Sequence, residues 1–217
     1  MPPAALLERM SGAVTAHECA EMALPSYLHR NPALRGMVRW RLALLSRRLR
    51  RRAHPGCRVL DFGCGCGVLF RDAAAVAETV YGVDPVLEPA RMLVDHYRLE
   101  NVRLLTPDAA AREIAPASLD VVICAEVLEH IEDLGGTLGA IREQMKPAAH
   151  LLVTLPTENR LYRLGRRLAG FTGEYHCSNA ARVHRRITDA GFRSLRRRSI
   201  PLPGPFAIYW AIDYRRE

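Results

Sequence analysis

Lysine is nearly missing from this chain. Of its 31 basic residues only Lys146 is a lysine, so the cationic surface is almost all arginine. Aromatic residues make up only 6% of the 217 residues. That scarcity argues against the stacking platforms with which proteins grip single-stranded nucleic acid. No run of about 18 uncharged apolar residues occurs, which excludes a membrane-spanning helix. The opening stretch, MPPAALLERMSGAV, carries Glu8 and Arg9 inside its apolar part and lacks the basic-then-apolar order of a signal peptide, so a cytoplasmic protein is expected. The six cysteines, at 19, 57, 64, 66, 124 and 177, form no CxxC pair and no regular framework. Disulfides and structural zinc are therefore not expected. Cys64 and Cys66 are flanked by glycines and read as loop-packing residues.

What is present suits one domain of ordinary size: 49% hydrophobic and 25% charged residues, near globular averages. The net charge of +8 draws a protein toward nucleic acid, membrane surfaces or anionic substrates. GC-rich codons also favour arginine, an alternative origin for the excess, so local clusters carry more weight than the total.

Three regions stand out. Residues 1–55 read as helical. Asn31-Pro32 is a helix start, with Asn as N-cap and Pro in the first turn. Leu34, Val38, Leu42, Leu45 and Leu49 then mark one face, with Arg35, Arg39, Arg47 and Arg50 elsewhere, until Pro55-Gly56 breaks the pattern. Nine arginines fall between Arg30 and Arg52. A solvated outer face explains them, and a basic amphipathic helix meeting a membrane surface is the alternative. Residues 56–157 alternate short strands (58–61, 79–84, 102–105, 119–124, 150–155) with helical patterns around 68–77, 86–98 and 134–145. That alternation argues for a parallel α/β sheet with helices on both faces and ligands at the strands' carboxyl ends. Beyond 158 the chain is arginine-rich again, with Arg160, Arg163, Arg166 and Arg167 beside Leu161, Leu164, Leu168 and Phe171. A helix over 180–191 and strands over 192–200 and 206–214 follow.

The strongest local signal is VLDFGCGCGVLF, residues 59–70. A strand delivers Asp61, then Gly63, Gly65 and Gly67 alternate into a helix. Glycines admit positive φ and close approach of a ligand to the backbone. About twenty residues on, Asp84 ends the second strand, where an acid takes both hydroxyls of a ribose. The combination points to a nucleoside-bearing cofactor. A nicotinamide dinucleotide fits poorly, because its GxGxxG fingerprint would need glycine where Val68 stands. Asp61, two residues ahead of the loop, suits a cofactor carrying a positive charge or amino group.

These residues resemble motif I, DxGxGxG, of the class I S-adenosylmethionine-dependent methyltransferases, in particular the ubiquinone-pathway-like, type 11 small-molecule enzymes. VYGVDP resembles the next motif, with Asp84 on the ribose and Pro85 after it. Leu105 to Ala109 resembles the segment whose acid, here Asp108 beside Ala109, binds the adenine amino group. LDVVICAEVLEHIED resembles motif IV, with Ala125 and Glu126 near the cofactor, and MKPAAHLLVTLPTEN the strand after it. The usual PGG turn is here Pro147-Ala148-Ala149. The resemblance covers roughly residues 56–190. It implies a Rossmann-like seven-stranded sheet, mostly parallel with the last strand antiparallel, and S-adenosyl-L-methionine (through Asp61, Gly63, Cys64, Gly65, Gly67 and the residues just named). On it, residues 1–55 form an N-terminal helical cap and 56–217 the core, with a lid insertion around 156–180. The activity implied is methyl transfer to a small molecule, and the two basic amphipathic segments that would flank the pocket suit a lipid-linked or anionic one.

Glu126-Val127-Leu128-Glu129-His130 follows a strand's carboxyl end. On a helical turn 126, 129 and 130 share one face. Two carboxylates and an imidazole can hold a divalent metal. This ExxEH resembles the metal motif of ubiquinone-pathway O-methyltransferases and of small-RNA ribose methyltransferases, which add a distal histidine, here His176. The latter makes an RNA ribose methyltransferase the alternative function. EVLEH also occurs in metal-free relatives, so a metal at Glu126, Glu129 and His130 is not the favoured reading. His130 and His176 are the candidate bases or substrate contacts. His54, His150 and His184 are assigned no role, and nothing in the sequence speaks to oligomeric state.

Overall fold

The computed structural model describes residues 1–159, 162 and 179–217. Four helices come first: α1 (Ala4–Gly12), α2 (Ala16–Glu21), α3 (Leu24–Leu28) and α4 (Pro32–Arg52). Then β1 (Arg58–Phe62), α5 (Phe70–Ala74), β2 (Thr79–Val83), α6 (Glu88–Tyr97), β3 (Val102–Leu105), α7 (Pro107–Glu113), β4 (Leu119–Ala125), α8 (Leu134–Gln144) and β5 (Met145–Pro156) alternate. The chain closes with α9 (Ala180–Asp189), β6 (Phe192–Pro201) and β7 (Ala207–Arg216). The seven strands form one sheet in the order β3-β2-β1-β4-β5-β7-β6. β1 to β5 run parallel, and β7, last in the chain, lies antiparallel between β5 and β6. This is the doubly wound arrangement expected, with the reversed strand one place in from the sheet edge.

Strand side chains alternate between two cores. Leu60, Val122, Cys124, Leu151 and Val153 pack on one face under α8 and α9, through Leu138, Ile141, Val183 and Ile187. Val59, Val80, Val121, Ile123 and Leu152 pack on the other face. There they meet Leu6 and Met10 of α1, Leu42, Leu45 and Leu49 of α4, Phe70 of α5 and Leu93 of α6. Strands buried on both faces read as the unbroken apolar runs seen in the sequence.

Helix α4 begins as its sequence demands. Asn31 Oδ1 accepts from the Ala33 N–H at 2.9 Å, and Pro32 occupies the first turn. Val38, Leu42, Leu45 and Leu49 are buried as expected, whereas Leu34 is only half-buried. Arg39, Arg47, Arg50 and Arg51 are exposed, as a solvated face requires, but two arginines depart from it. Arg41 and Arg48 are 3% and 6% exposed and lie on the packed side with Leu44 and Ser46. Positions 38, 41, 45 and 48 recur at helical spacing, so these two cations occupy core-facing positions.

The turn where PGG was expected differs in a readable way. Ala148, exposed, adopts φ +64°. The strand nonetheless runs from Met145 through the turn to Pro156, with a register shift opposite Leu119 and Val121. Among the described residues no helix is long and apolar enough to cross a membrane, and Cys19, Cys57, Cys64, Cys66 and Cys124 are free thiols. Most of the expected lid falls outside the described residues, and His176 and Cys177 lie there too.

A left-handed alanine costs about 1 kcal/mol that glycine avoids, partly offset by glycine's greater freedom when unfolded. Ala148→Gly is therefore expected to leave the sheet intact and raise stability by roughly 0.5 kcal/mol, read as a higher urea midpoint with unchanged slope.

Candidate functional site

The site is built where β1 and β4 end at the centre of the sheet and the chain turns back. After β1 the backbone passes through Gly63, Gly65 and Gly67 at φ +70°, +51° and +73°. The Gly63 and Cys64 N–H groups donate to the Val83 carbonyl at 2.8 and 3.1 Å, tying the loop to the end of β2. A Cβ at Gly63 would collide with Val127, and one at Gly67 would stand 2.5 Å from the Phe70 ring. No side chain fits at either position. Cys64 and Cys66 point inward and are buried, packing the underside of the loop as their flanking glycines suggested.

Two acids frame this loop. Asp84, directly after β2, accepts the Gly65 N–H at 2.8 Å on one oxygen and the Val86 N–H at 3.1 Å on the other. Each oxygen thus accepts a backbone N–H, which anchors the carboxylate beside the loop. Asp61, in β1, is 2% exposed. Burial, reinforced by the Asp84 charge, pushes its carboxyl up to about 7. Tyr27 of α3 lies close to Asp61 and Arg41, and burial raises its phenol well above the ordinary value. Asp108 is exposed in the first turn of α7, with Ala109 donating its N–H to the Thr106 hydroxyl at 3.4 Å. Pro85 is exposed beside Asp84, and Ala125 ends β4 half-buried.

Glu126 follows β4 in the left-handed region at φ +57°, its N–H donating to the Thr154 carbonyl at 3.1 Å. That turn brings its carboxylate onto the Arg41 guanidinium. Arg41 also stacks over the Tyr209 ring, 4.9 Å from its centroid. Glu129, in the short turn Leu128–His130, is 1% exposed, and neither carboxylate oxygen has a hydrogen-bond partner. Burial pushes it up to about 8; Arg41 pulls it down and Glu158 adds repulsion. His130 is half-buried in the same turn.

Glu126, Glu129 and His130 thus share a segment but do not gather around a common point. Among the described residues, the only His, Cys and acid groups close enough together to share an ion are His54, Cys57 and Asp120, at the amino ends of β1 and β4. There the Lys146 ammonium already stands 2.7 Å from Asp120. At ExxEH the Glu126 carboxylate is paired with the Arg41 cation instead. The trio does not fit a divalent metal, and no step is routed through one. Sequence reasoning missed Arg41, Tyr27 and Tyr209. Arg41 was detectable, since it lies three residues after Val38 on the packed face; Tyr27 and Tyr209 are joined to the site by tertiary packing alone.

A family profile described as a methyltransferase domain matches residues 28–211. Among curated relatives, the ubiquinone biosynthesis O-methyltransferase of Cupriavidus pinatubonensis is 32% identical over 107 residues, covering 48% of this chain and 43% of that protein. The Aeromonas salmonicida enzyme of the same name is 34% identical over 107 residues, covering 48% and 45%. The matched region thus spans less than half the length of these relatives. Among solved structures, the N-methyltransferase NodS from Bradyrhizobium japonicum, in complex with S-adenosyl-L-homocysteine, superposes with a TM-score of 0.67 at 19% identity, covering 92% of this chain and 96% of that one. An S-adenosylmethionine-dependent methyltransferase from Mesorhizobium loti gives 0.62 at 15% identity, covering 80% and 96%. The family match begins at the end of α3 and reaches into β7, so what is shared is a whole domain rather than a motif. The chain belongs to the methyltransferase domain family, in its class I, S-adenosylmethionine-dependent form.

Proposed function

We propose that the protein transfers a methyl group from S-adenosylmethionine to a small acceptor, lipid-linked or anionic. The observation that carries this is the left-handed glycine loop hydrogen-bonded to Asp84 above the buried Asp61. The cofactor supplies an electrophilic methyl on a sulfonium. Asp84 takes the ribose hydroxyls, Asp108 with Ala109 the adenine edge, and Pro85, Ala125 and Glu126 complete the surround. Asp61 meets the cationic amino acid end. Gly63, Cys64, Gly65 and Gly67 bring the backbone close. Methyl transfer then depends on alignment and exclusion of water, with a proton removed where the acceptor carries one. His130, and His176 from outside the described residues, are the bases or acceptor contacts in this reading.

The ubiquinone-pathway names of the curated relatives support an O-methylated small acceptor. The ribose-methylating alternative needs Glu126, Glu129 and His130 to converge on a metal, and the Arg41 ion pair argues against it. Residues 1–55 act as a helical cap and 156–180 as a lid over the acceptor. The exposed arginines of α4 favour peripheral contact with an anionic membrane surface. The free thiols suit a reducing, cytoplasmic compartment.

The direct test uses methyl-labelled S-adenosylmethionine and cell extract, with organic-soluble, small polar, RNA and protein fractions separated. Label is expected in the organic or small polar fraction, and label confined to RNA or protein would sink the proposal. Asp84→Ala should weaken S-adenosylhomocysteine binding roughly 10- to 100-fold by calorimetry, since hydrogen bonds to a charged group are lost. An unchanged affinity would move the ribose elsewhere.

Asp61 gives a pH signature. Its carboxyl is raised in the fold, so it favours the folded state while protonated. That contribution is present below the ordinary carboxylate range and fades as pH rises through about 7. The groups facing it are Asp84, Tyr27, Cys64, Cys66 and Cys124, none of them a cation. A cationic ligand binds the ionised acid, so affinity should rise about tenfold between pH 6 and 8, with a proton released. Calorimetry in buffers of different ionisation enthalpy reads that proton. Asp61→Asn should flatten the profile, and a flat wild-type profile would refute the assignment.

A further inference from the structure

On the α4 side of the sheet, away from the glycine loop, α4 packs against the outer strands. A cavity of ≈ 250 Å³ opens there, lined by Leu44, Arg47, Arg48, Arg51, Arg52, Arg196, Arg198 and Asp213. Six guanidinium groups thus face one carboxylate. That carboxylate is already committed. Asp213 Oδ2 accepts from Arg52 Nε and Nη2 at 3.1 and 2.7 Å, and its Oδ1 lies 3.0 Å from His150 Nδ1. Burial alone would raise Asp213, but the hydrogen bonds from His150 and Arg52 outweigh it and hold it below the usual carboxylate range.

Arg48 is the central anomaly. It is 6% exposed, and its Nη1 is buried with no hydrogen-bond partner. A buried guanidinium donor left unpaired is costly, and like charges nearby raise that cost. Burial lowers the Arg48 pKa, Asp213 opposes this, and Arg196, Arg198 and Arg52 add to it. Neighbouring carboxylates do not relieve the cluster, because Asp72 is taken by Arg50 and Ser46. Arg198 stands over the Trp40 ring, 5.9 Å from its centroid, which leaves its donors open. Arg196 and Arg198 alternate along β6 and present planar forks on one face. Such forks match phosphate oxygens in pairs, which is the geometry a lysine cannot reproduce. The cavity is smaller than a drug-sized pocket, and arginine forms most of its lining.

We propose that this cavity is a binding site for a phosphate group, separate from the methyl-transfer site. Arg48 is its buried anchor, and Arg51, Arg196 and Arg198 form its rim. A free phosphorylated metabolite and a lipid headgroup present the same chemistry, and the test separates them.

Purified protein is titrated with pyrophosphate and glycerol phosphate at constant ionic strength set with chloride, reading melting temperature and calorimetric heat. Separately, it is sedimented with vesicles of phosphatidylglycerol or phosphatidylcholine. Saturable stabilisation by the soluble anions, weakened at least tenfold in Arg48→Gln, is the expected result for a metabolite site. Sedimentation with phosphatidylglycerol vesicles, reversed by pyrophosphate and lost in the same variant, also supports the site and assigns it to lipid. S-adenosylhomocysteine affinity should stay unchanged in the variant, which keeps failure here distinct from failure of the methyltransferase reading. Should Arg48→Gln not fold, the rim pair Arg51→Gln with Arg198→Gln replaces it. A melting temperature and vesicle binding that respond equally in wild type and variants, or not at all beyond the chloride control, would overturn the proposal.

Discussion

The structure depends on how the chain leaves β1. Within a few residues it must turn over the carboxyl end of the sheet and leave room for a ligand against bare backbone. The three glycines do this at positive φ, and the Gly65 N–H fixes the turn by bonding to Asp84 at the end of the neighbouring strand. One hydrogen bond therefore sets two things together: the shape of the loop and the direction of the acid that would hold a ribose. Asp61 lies beneath, too buried to ionise easily without a cation nearby. The protein holds an uncompensated acid where a positively charged ligand would repay its desolvation.

The N-terminal helices are tied into that same centre. Arg41 sits on the packed side of α4, meets Glu126 just after β4 and covers Tyr209 of β7. The cost of burying this cation is offset by a carboxylate whose backbone is itself turned into the left-handed region. Removing the cation would leave the half-buried Glu126 unpaired and take a favourable charge from the buried Glu129. α4 therefore contributes charge balance to the site as well as apolar cover for the sheet.

Much of the fold was legible because the sheet is buried on both faces. LDVVIC and HLLVTL have no solvent-facing alternation to confuse with a helix, and Asp61, Gly63, Gly65, Gly67 and Asp84 stand at spacings that local geometry enforces. The Asn31-Pro32 start of α4 was equally plain, because a cap is a local device. Legibility ended where a side chain's role depends on a distant partner. Arg41 and Arg48 were counted among solvated cations, since nothing within α4 shows that Glu126 or the β6 arginines lie opposite. ExxEH suggested convergence from its spacing, but Glu126 leaves the strand in a left-handed turn and its side chain swings to Arg41. A helical-face argument assumes helical dihedrals, and residue 126 does not have them.

The same helix joins two regions of opposite unbalanced charge. At its amino-terminal half Arg41 faces the acids around the glycine loop, where Asp61 and Glu129 are held partly neutral by burial. At its carboxyl-terminal half Arg48 faces arginines of β6 with only Asp213 to answer them. Arg41 and Arg48 are two turns apart on one packed face, so α4 cannot shift against the sheet without moving both. Each end stores electrostatic cost that an incoming ligand of opposite sign would relieve, a cation at one and an anion at the other. Because a rigid helix carries both anchors, the near-absence of lysine becomes intelligible at these two positions. A lysine ammonium could supply the charge, but it could not stack on Tyr209 or offer a planar fork to the cavity.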